Sequence, residues 1–302
     1  MRYTRGTMNL AQPARVACAA PFEIVMPAVQ TLPLVVASPH SGTDYPPEFL
    51  AASRLDRNRL RRSEDAFVDE IFAGAARLGA PLLKASFARA FIDPNREAYE
   101  LDPAMFEEKL PSWVNVRSPR VAAGLGTIPR IVSSGEEIYR RKLTLAEARE
   151  RIEQFYRPYH DALGELVVAT RRKFGYCILI DAHSMPSSDG PGQPEPGARR
   201  TDIVLGDCYG TACANIVSSR VRETLEPLGY RVAQNDPYAG GFVTQHYGKP
   251  LDFTHALQIE INRALYMDEE LIRPSPTMAR LASDMEKVIA ALGAIDRSAF
   301  LP

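Results

Sequence analysis

Two of the five histidines in this chain of 302 residues stand directly behind apolar runs. Leu34-Val35-Val36-Ala37-Ser38-Pro39 leads into His40, and Tyr176-Cys177-Ile178-Leu179-Ile180 leads into Asp181-Ala182-His183-Ser184. Such runs read as buried strands, and strand exits are where open α/β sheets place their chemistry. Imidazole is the commonest metal ligand, so both histidines are candidates to hold a divalent ion. Asp181 and His183 lie two apart and share a strand face, so the carboxylate can orient the ring or bind the metal itself. The competing readings are a polar turn residue for His40 and a strand-capping Asp–His pair for His183.

A hydrolytic site of two histidines and one carboxylate leaves a coordination position open for water. Asp44, Glu64, Asp65 and Asp69 are the acidic residues near His40 that could supply that carboxylate. Asp65 and Asp69 are four apart on the helix expected after the His40 strand, where most acidic residues are simply solvated. Two further segments bring acid and base together. Ile92-Asp93-Pro94-Asn95-Arg96 offers an arginine fork and an amide, suited to capturing a carboxylate. Gln258-Ile259-Glu260-Ile261-Asn262-Arg263 sets Gln258, Glu260 and Asn262 on one strand face and the two isoleucines on the other. A carboxylate flanked by apolar residues near a metal-bound water is a reasonable general base, and an ion pair with Arg263 is the bland alternative. His160, His246 and His255 fall on a helix stripe or in loops, in structural or substrate-facing roles.

These residues need a scaffold, and the periodicity supplies one. Strand and helix patterns alternate along most of the chain, which predicts a single α/β domain with a mixed, mostly parallel sheet flanked by helices. Residues 1–30 are read as an N-terminal extension with Met8 as an alternative start, and 31–302 as the domain. A helix is expected over Leu60–Leu78, with Phe67, Ile71, Ala75 and Leu78 on one stripe and Gly79 as its stop. Strands follow at Leu82–Phe87 and Ala90–Asp93. A long helix over Thr144–Lys173 should be kinked or split by Pro158. Beyond the His183 strand come a proline and glycine cluster at Pro186–Gly197, suited to a lid or specificity loop or equally to a disordered surface excursion, then a strand at Ile203–Leu205 and a helix over Thr211–Leu228. A strand at Ala256–Ile261 and a helix within Pro274–Gly293 close the chain.

The composition narrows the partners. With 36 basic and 37 acidic residues, the net charge of −1 gives no global attraction to nucleic acid or anionic membrane, so ligand charge must be met locally. No run reaches the roughly 20 apolar residues of a membrane span. Cys18, Cys177, Cys208 and Cys213 show no C-x-x-C spacing, so neither a disulfide framework nor a cysteine zinc site is expected. Arg15 and Pro13 interrupt any secretory stretch, and a cytoplasmic location is expected. The sequence is silent on oligomeric state.

Six blocks in order now form a pattern: Ser38-Pro39-His40-Ser41-Gly42, Ser63-Glu64-Asp65, Asp93-Pro94-Asn95-Arg96, Asp181-Ala182-His183-Ser184, Asn235-Asp236-Pro237-Tyr238-Ala239-Gly240-Gly241 and Gln258 to Arg263. From about Leu34 to Tyr266 the chain resembles the N-formylglutamate amidohydrolase family. The resemblance implies a fold like that of the zinc carboxypeptidases and one divalent ion, zinc first, with cobalt or manganese as alternatives. It implies hydrolysis of N-formyl-L-glutamate to formate and L-glutamate, the last step of a histidine degradation route. By the same analogy His40, His183 and a carboxylate hold the ion, and Glu260 is the base. Asn95 and Arg96 hold a substrate carboxylate, and Arg89 meets the developing oxyanion. The Gly240-Gly241 turn lines the pocket, and Arg130 or Arg263 supplies a second basic anchor. Carboxypeptidases carry a metal glutamate three residues after the first histidine, where this chain has Thr43. The carboxylate must come from elsewhere, and Asp65 is chosen over Glu64 and Asp44. The alternatives are a deacylase for another N-acyl amino acid and a ligand-binding relative without turnover. A serine hydrolase lacks its G-x-S-x-G elbow here.

Overall fold

The computed structural model describes residues 20–187 and 201–301. Cys18, the Met8 start and most of the 186–197 cluster lie outside the described residues. Seven strands build one sheet: β1 (Phe22–Val25), β2 (Leu34–Ser38), β3 (Leu82–Ala85), β4 (Cys177–Met185), β5 (Ile203–Gly206), β6 (Val232–Gln234) and β7 (Thr254–Asn262). Their order is β1-β3-β2-β4-β7-β5-β6. β2 runs parallel to β3 and β4, β4 to β7, and β5 to β6, whereas β1–β3 and β5–β7 are antiparallel. The sheet is thus mixed and mostly parallel, as the alternating pattern implied. Every residue of β2, β4 and β7 is buried, which suits central parallel strands covered on both faces.

The helices are α1 (Pro47–Ala52), α2 (Arg57–Arg61), α3 (Val68–Ile71), α4 (Gly74–Leu78), α5 (Pro119–Ala122), α6 (Leu145–Arg151), α7 (Arg157–Phe174), α8 (Asn215–Leu225), α9 (Phe242–Tyr247) and α10 (Met278–Gly293). One face of the sheet carries Val35, Leu179 and Ala256 into a core with α7 residues such as Tyr159 and Leu163. The opposite face carries Val36, Ile180, Leu257 and Ile259 into a second core with α3, α4, α8 and α10.

Four expectations need correction. The continuous helix over Leu60–Leu78 is broken into α2, α3 and α4. Between α2 and α3 the chain turns inward so that the Asp65 amide donates to the His40 carbonyl at 3.0 Å, and Phe67 takes a left-handed φ of 66°. Asp65 and Asp69 therefore do not share a helix face. Gly79 does close α4, with φ of 101°. Ala90–Asp93 forms turns, with the Phe91 and Ile92 amides both donating to the Ala88 carbonyl, and no strand. α8 starts at Asn215 rather than Thr211, because the Ala212 carbonyl is spent on the Ala256 amide of β7. The boundary at residue 30 also shifts, since β1 lies before it and pairs with β3. At Pro158 the long helix divides as predicted: a π-helical turn over Ile152–Tyr156 joins α6 to α7, and the proline occupies the first turn of α7, where its missing N–H costs nothing.

Candidate metal centre and substrate cavity

The site forms where β2, β4 and β7 end side by side. Parallel register sets Asp181 opposite Gln258 and His183 opposite Glu260, so the four side chains share one face. Ala182, Ile259 and Ile261 point into the core behind them. His40 follows β2 by two residues, and the inward turn after α2 delivers Asp65.

Three donor atoms converge there. Asp65 Oδ2 lies 3.2 Å from His40 Nδ1 and 3.0 Å from His183 Nδ1. Among the described residues, His40, Asp65 and His183 are the group whose ligand atoms could hold a metal ion, all within 4.8 Å of one another and all buried. Each ring is held from its far side by a carboxylate. His40 Nε2 donates to Asp93 Oδ1 at 2.7 Å, and His183 Nε2 to Asp181 Oδ1 at 2.8 Å. That arrangement sets the ring orientations and leaves both Nδ1 atoms as the ones that would face a metal. Asp93 Oδ2 in turn accepts from Arg89 Nε at 3.0 Å, and Asp181 Oδ2 from Thr244 Oγ1 at 2.9 Å.

The charges follow from these contacts. Burial opposes ionisation of Asp65, but the hydrogen bonds of His183 and His40 outweigh it and hold its carboxyl well below the usual range. Burial likewise works against a charged His183, and Asp181 and Asp65 overcome it, pushing the imidazole well above its ordinary value. The negative field that holds a proton on the ring is the field that favours a cation between the two rings. Glu260 is different: burial, helped by Asp65, pushes it up to about 7 against the pull of His183 and Arg89. Its Oε1 accepts from Gln258 Nε2 at 2.7 Å.

Above these groups opens a cavity of about 240 Å³ whose wall includes His40, Asp65, His183, Glu260, Asn95 and the Gly240-Gly241 turn. Four arginines also line it: Arg89, Arg96, Arg120 and Arg263. Arg96 is buried, and its Nε donates to the Leu125 carbonyl at 2.9 Å. Asn95 Oδ1 accepts from the Val243 amide of α9 at 2.7 Å, and its Nδ2 lies 3.0 Å from His183 Nε2. Gly241 N donates to Gln258 Oε1 at 2.7 Å, and a Cβ there would stand 2.4 Å from the Asn95 amide, so any larger residue must displace that side chain.

Not every expected residue arrives. Arg130 is absent from the cavity wall, because its Nε is committed to Asp102 at 2.8 Å. Arg263 does reach the wall, but as a tether: its NH2 group donates to Asp65 Oδ1 at 3.1 Å and to the Glu64 carbonyl at 2.8 Å. Glu260 makes no ion pair with it. Glu64 faces Tyr45 and Arg61, and Asp44 is exposed, so neither approaches the histidines. His160 serves as a prop, with Nε2 donating to the Pro94 carbonyl at 2.8 Å just ahead of Asn95, and burial pushes its pKa down to about 4. His255 packs on Phe300, and His246 stacks on Phe242. Sequence reasoning assigned no role to Asp93, although its place two residues before Asn95 was a signal. It gave no notice of Arg120, which sits in a segment without periodicity. Cys177, Cys208 and Cys213 are free thiols. No helix among the described residues is long and apolar enough to cross a membrane.

A family model described as N-formylglutamate amidohydrolase matches residues 32–267. The crystal structure of N-formylglutamate amidohydrolase from Ralstonia eutropha JMP134 superposes with a TM-score of 0.85 at 37% identity, covering 93% of this chain and all of that one. An N-formylglutamate deformylase of Pseudomonas aeruginosa is 29% identical over 86% of this chain and 91% of its own length. That of Pseudomonas putida is 29% identical over 79% and 83%.

Proposed function

The chain belongs to the N-formylglutamate amidohydrolase family, and from that premise we propose that it hydrolyses N-formyl-L-glutamate to formate and L-glutamate, as the last step of a histidine degradation route. His40, Asp65 and His183 would hold one divalent ion, zinc first, since two imidazoles and a carboxylate form a hydrolytic zinc donor set. When bound, the ion supplies a Lewis acid for the formyl oxygen and lowers the pKa of water toward neutrality. The observation that carries this reading is Glu260, buried, registered beside His183 and poised near neutrality, at the wall of an arginine-lined cavity.

The residues divide the work. Glu260, steadied at Oε1 by Gln258, accepts the proton of the attacking water and returns it to the amine nitrogen as the C–N bond breaks. Arg89, fixed by Asp93, presents positive charge where the formyl oxygen turns anionic. Asn95 and Arg96 receive the α-carboxylate beside the scissile amide. Atoms balance with one water consumed.

The test follows release of the free amino acid from N-formyl-L-glutamate, N-acetyl-L-glutamate and N-formyl-L-aspartate by the zinc-loaded protein, together with Glu260→Gln. N-formyl-L-glutamate should be preferred, and the variant should keep its metal while losing on the order of 10³-fold in kcat. A preference for either rival substrate, or full turnover by Glu260→Gln, overturns the reading.

A further inference from the structure

An acidic N-acyl amino acid brings two carboxylates, and the cavity must meet the second one. Of the four arginines on its wall, Arg89 is paired with Asp93, Arg96 is hydrogen-bonded to the Leu125 and Asn95 carbonyls, and Arg263 is tied to Asp65, Ser184 and Glu64. The Arg120 guanidinium makes no hydrogen bond and no ion pair among the described residues, although it is exposed at the cavity wall. We propose that Arg120 is the specificity-determining residue that receives the side-chain carboxylate of the substrate. The proposal rests on the functional reading above and names the group that selects glutamate.

The backbone beneath Arg120 is built to hold it. Ser118 caps α5 by accepting from the Val121 amide at 3.0 Å and itself donates to Glu100. The Leu125 amide closes the loop onto the Arg120 carbonyl at 2.8 Å, and the Leu125 carbonyl accepts from Arg96 Nε at 2.9 Å. Gly126 lets the loop press on Glu100, whose carbonyl would stand 2.2 Å from a Cβ at that position. The loop bearing the free guanidinium is therefore latched directly to the buried one.

Its position suits the distal end of the ligand. A second hollow of about 450 Å³ adjoins the cavity and shares Asn95, Arg96, Arg120, Gly240 and Gly241 with it, so Arg120 stands at the junction, on the solvent side of Arg96. An α-carboxylate, borne on the carbon next to the reacting amide nitrogen, belongs with the buried Arg96. The γ-carboxylate projects outward to where Arg120 waits. Burial, with a smaller push from Arg89 and Arg120, holds the Arg96 guanidinium below its ordinary value, and a dianion between the two arginines relieves that repulsion. Planar guanidinium matches a carboxylate bidentately, and an uncharged carboxamide forfeits the charge assistance.

The experiment compares kcat/KM on N-formyl-L-glutamate and N-formyl-L-glutamine for zinc-loaded full-length wild type, Arg120→Gln and Arg120→Lys. Arg120→Gln should lower the glutamate value about 10- to 100-fold, mainly through KM, and leave the glutamine value within about twofold. Arg120→Lys should fall between. Because Arg120 is exposed and unpaired, metal content and melting temperature should not move. An equal fall on both substrates, or an unchanged glutamate value, overturns the role of Arg120 alone. A wild type inactive on N-formyl-L-glutamate overturns the functional reading and this inference with it.

Discussion

Replacing Asp93 by asparagine tests whether the far side of the His40 ring governs metal affinity. Asp93 Oδ1 accepts from His40 Nε2 at 2.7 Å and from the Asn95 amide at 2.8 Å, while Oδ2 accepts from Arg89 at 3.0 Å. The Asp93→Asn substitution keeps the side-chain volume and one acceptor, so the ring can keep its hydrogen bond but not the charge behind it. A charge-assisted bond contributes about 1.5–3 kcal/mol and a neutral one about 1, so the ring loses about 0.5–2 kcal/mol of support. At about 1.4 kcal/mol per tenfold, the metal Kd should weaken about 2- to 30-fold, reaching into the range that outer-sphere partners of ligating histidines command. A second penalty falls elsewhere. The new amide nitrogen meets Arg89 donor to donor, and since Asp93 holds Arg89 in the protein without metal, that cost of about 1–3 kcal/mol lowers the melting temperature in chelator as well. The assay is a competition titration against a chromophoric zinc chelator at fixed neutral pH, paired with thermal melts of the metal-free protein. A folded variant whose Kd stays within twofold of wild type would refute the reasoning.

Two other outcomes are expected. Burial lifts Glu260 to about 7 in the protein without metal, so at lower pH it is protonated and cannot accept a proton; kcat/KM should rise with pH through this limb. A bound dication favours the carboxylate and moves the limb to or below that value, and a profile that falls with rising pH over the same interval counts against Glu260 as base. Gly241→Ala places a Cβ 2.4 Å from Asn95 Nδ2 and must push that amide aside, so KM should rise about tenfold or more with the fold intact. An unchanged KM would remove Asn95 from substrate binding.

The central strands are legible because both of their faces are apolar. Leu34 to Ala37 and Cys177 to Ile180 have no polar residue to mislead the eye, and all are fully buried. β1 and β6 escape for the opposite reason: they are short, half-exposed edge strands of four and three residues, whose pattern differs little from a loop. The break within Leu60–Leu78 is hidden because Ile71 and Ala75 do bury on the helical stripe. Nothing local announces that Asp65 must turn in to meet His183, 118 residues away. Long-range demand overrides helical periodicity there, and the left-handed Phe67 is its mark.

The arginines show the same division between chemistry and placement. That an acidic substrate needs basic anchors follows from residue types alone, but which arginine is free depends on which carboxylates have already claimed the others. Asp102 claims Arg130 and Asp65 claims Arg263, leaving Arg120 on the wall without a partner among the described residues. The β7 residues behave differently, because their placement was written in the alternation itself. Ile259 and Ile261 are required by the core on one side, and that requirement aims Gln258 and Glu260 to the other. A slip of one residue against β4 would flip the set and carry Glu260 away from His183. The hydrophobic demand that holds β7 in register is therefore also what holds the proposed base beside the proposed metal ligands.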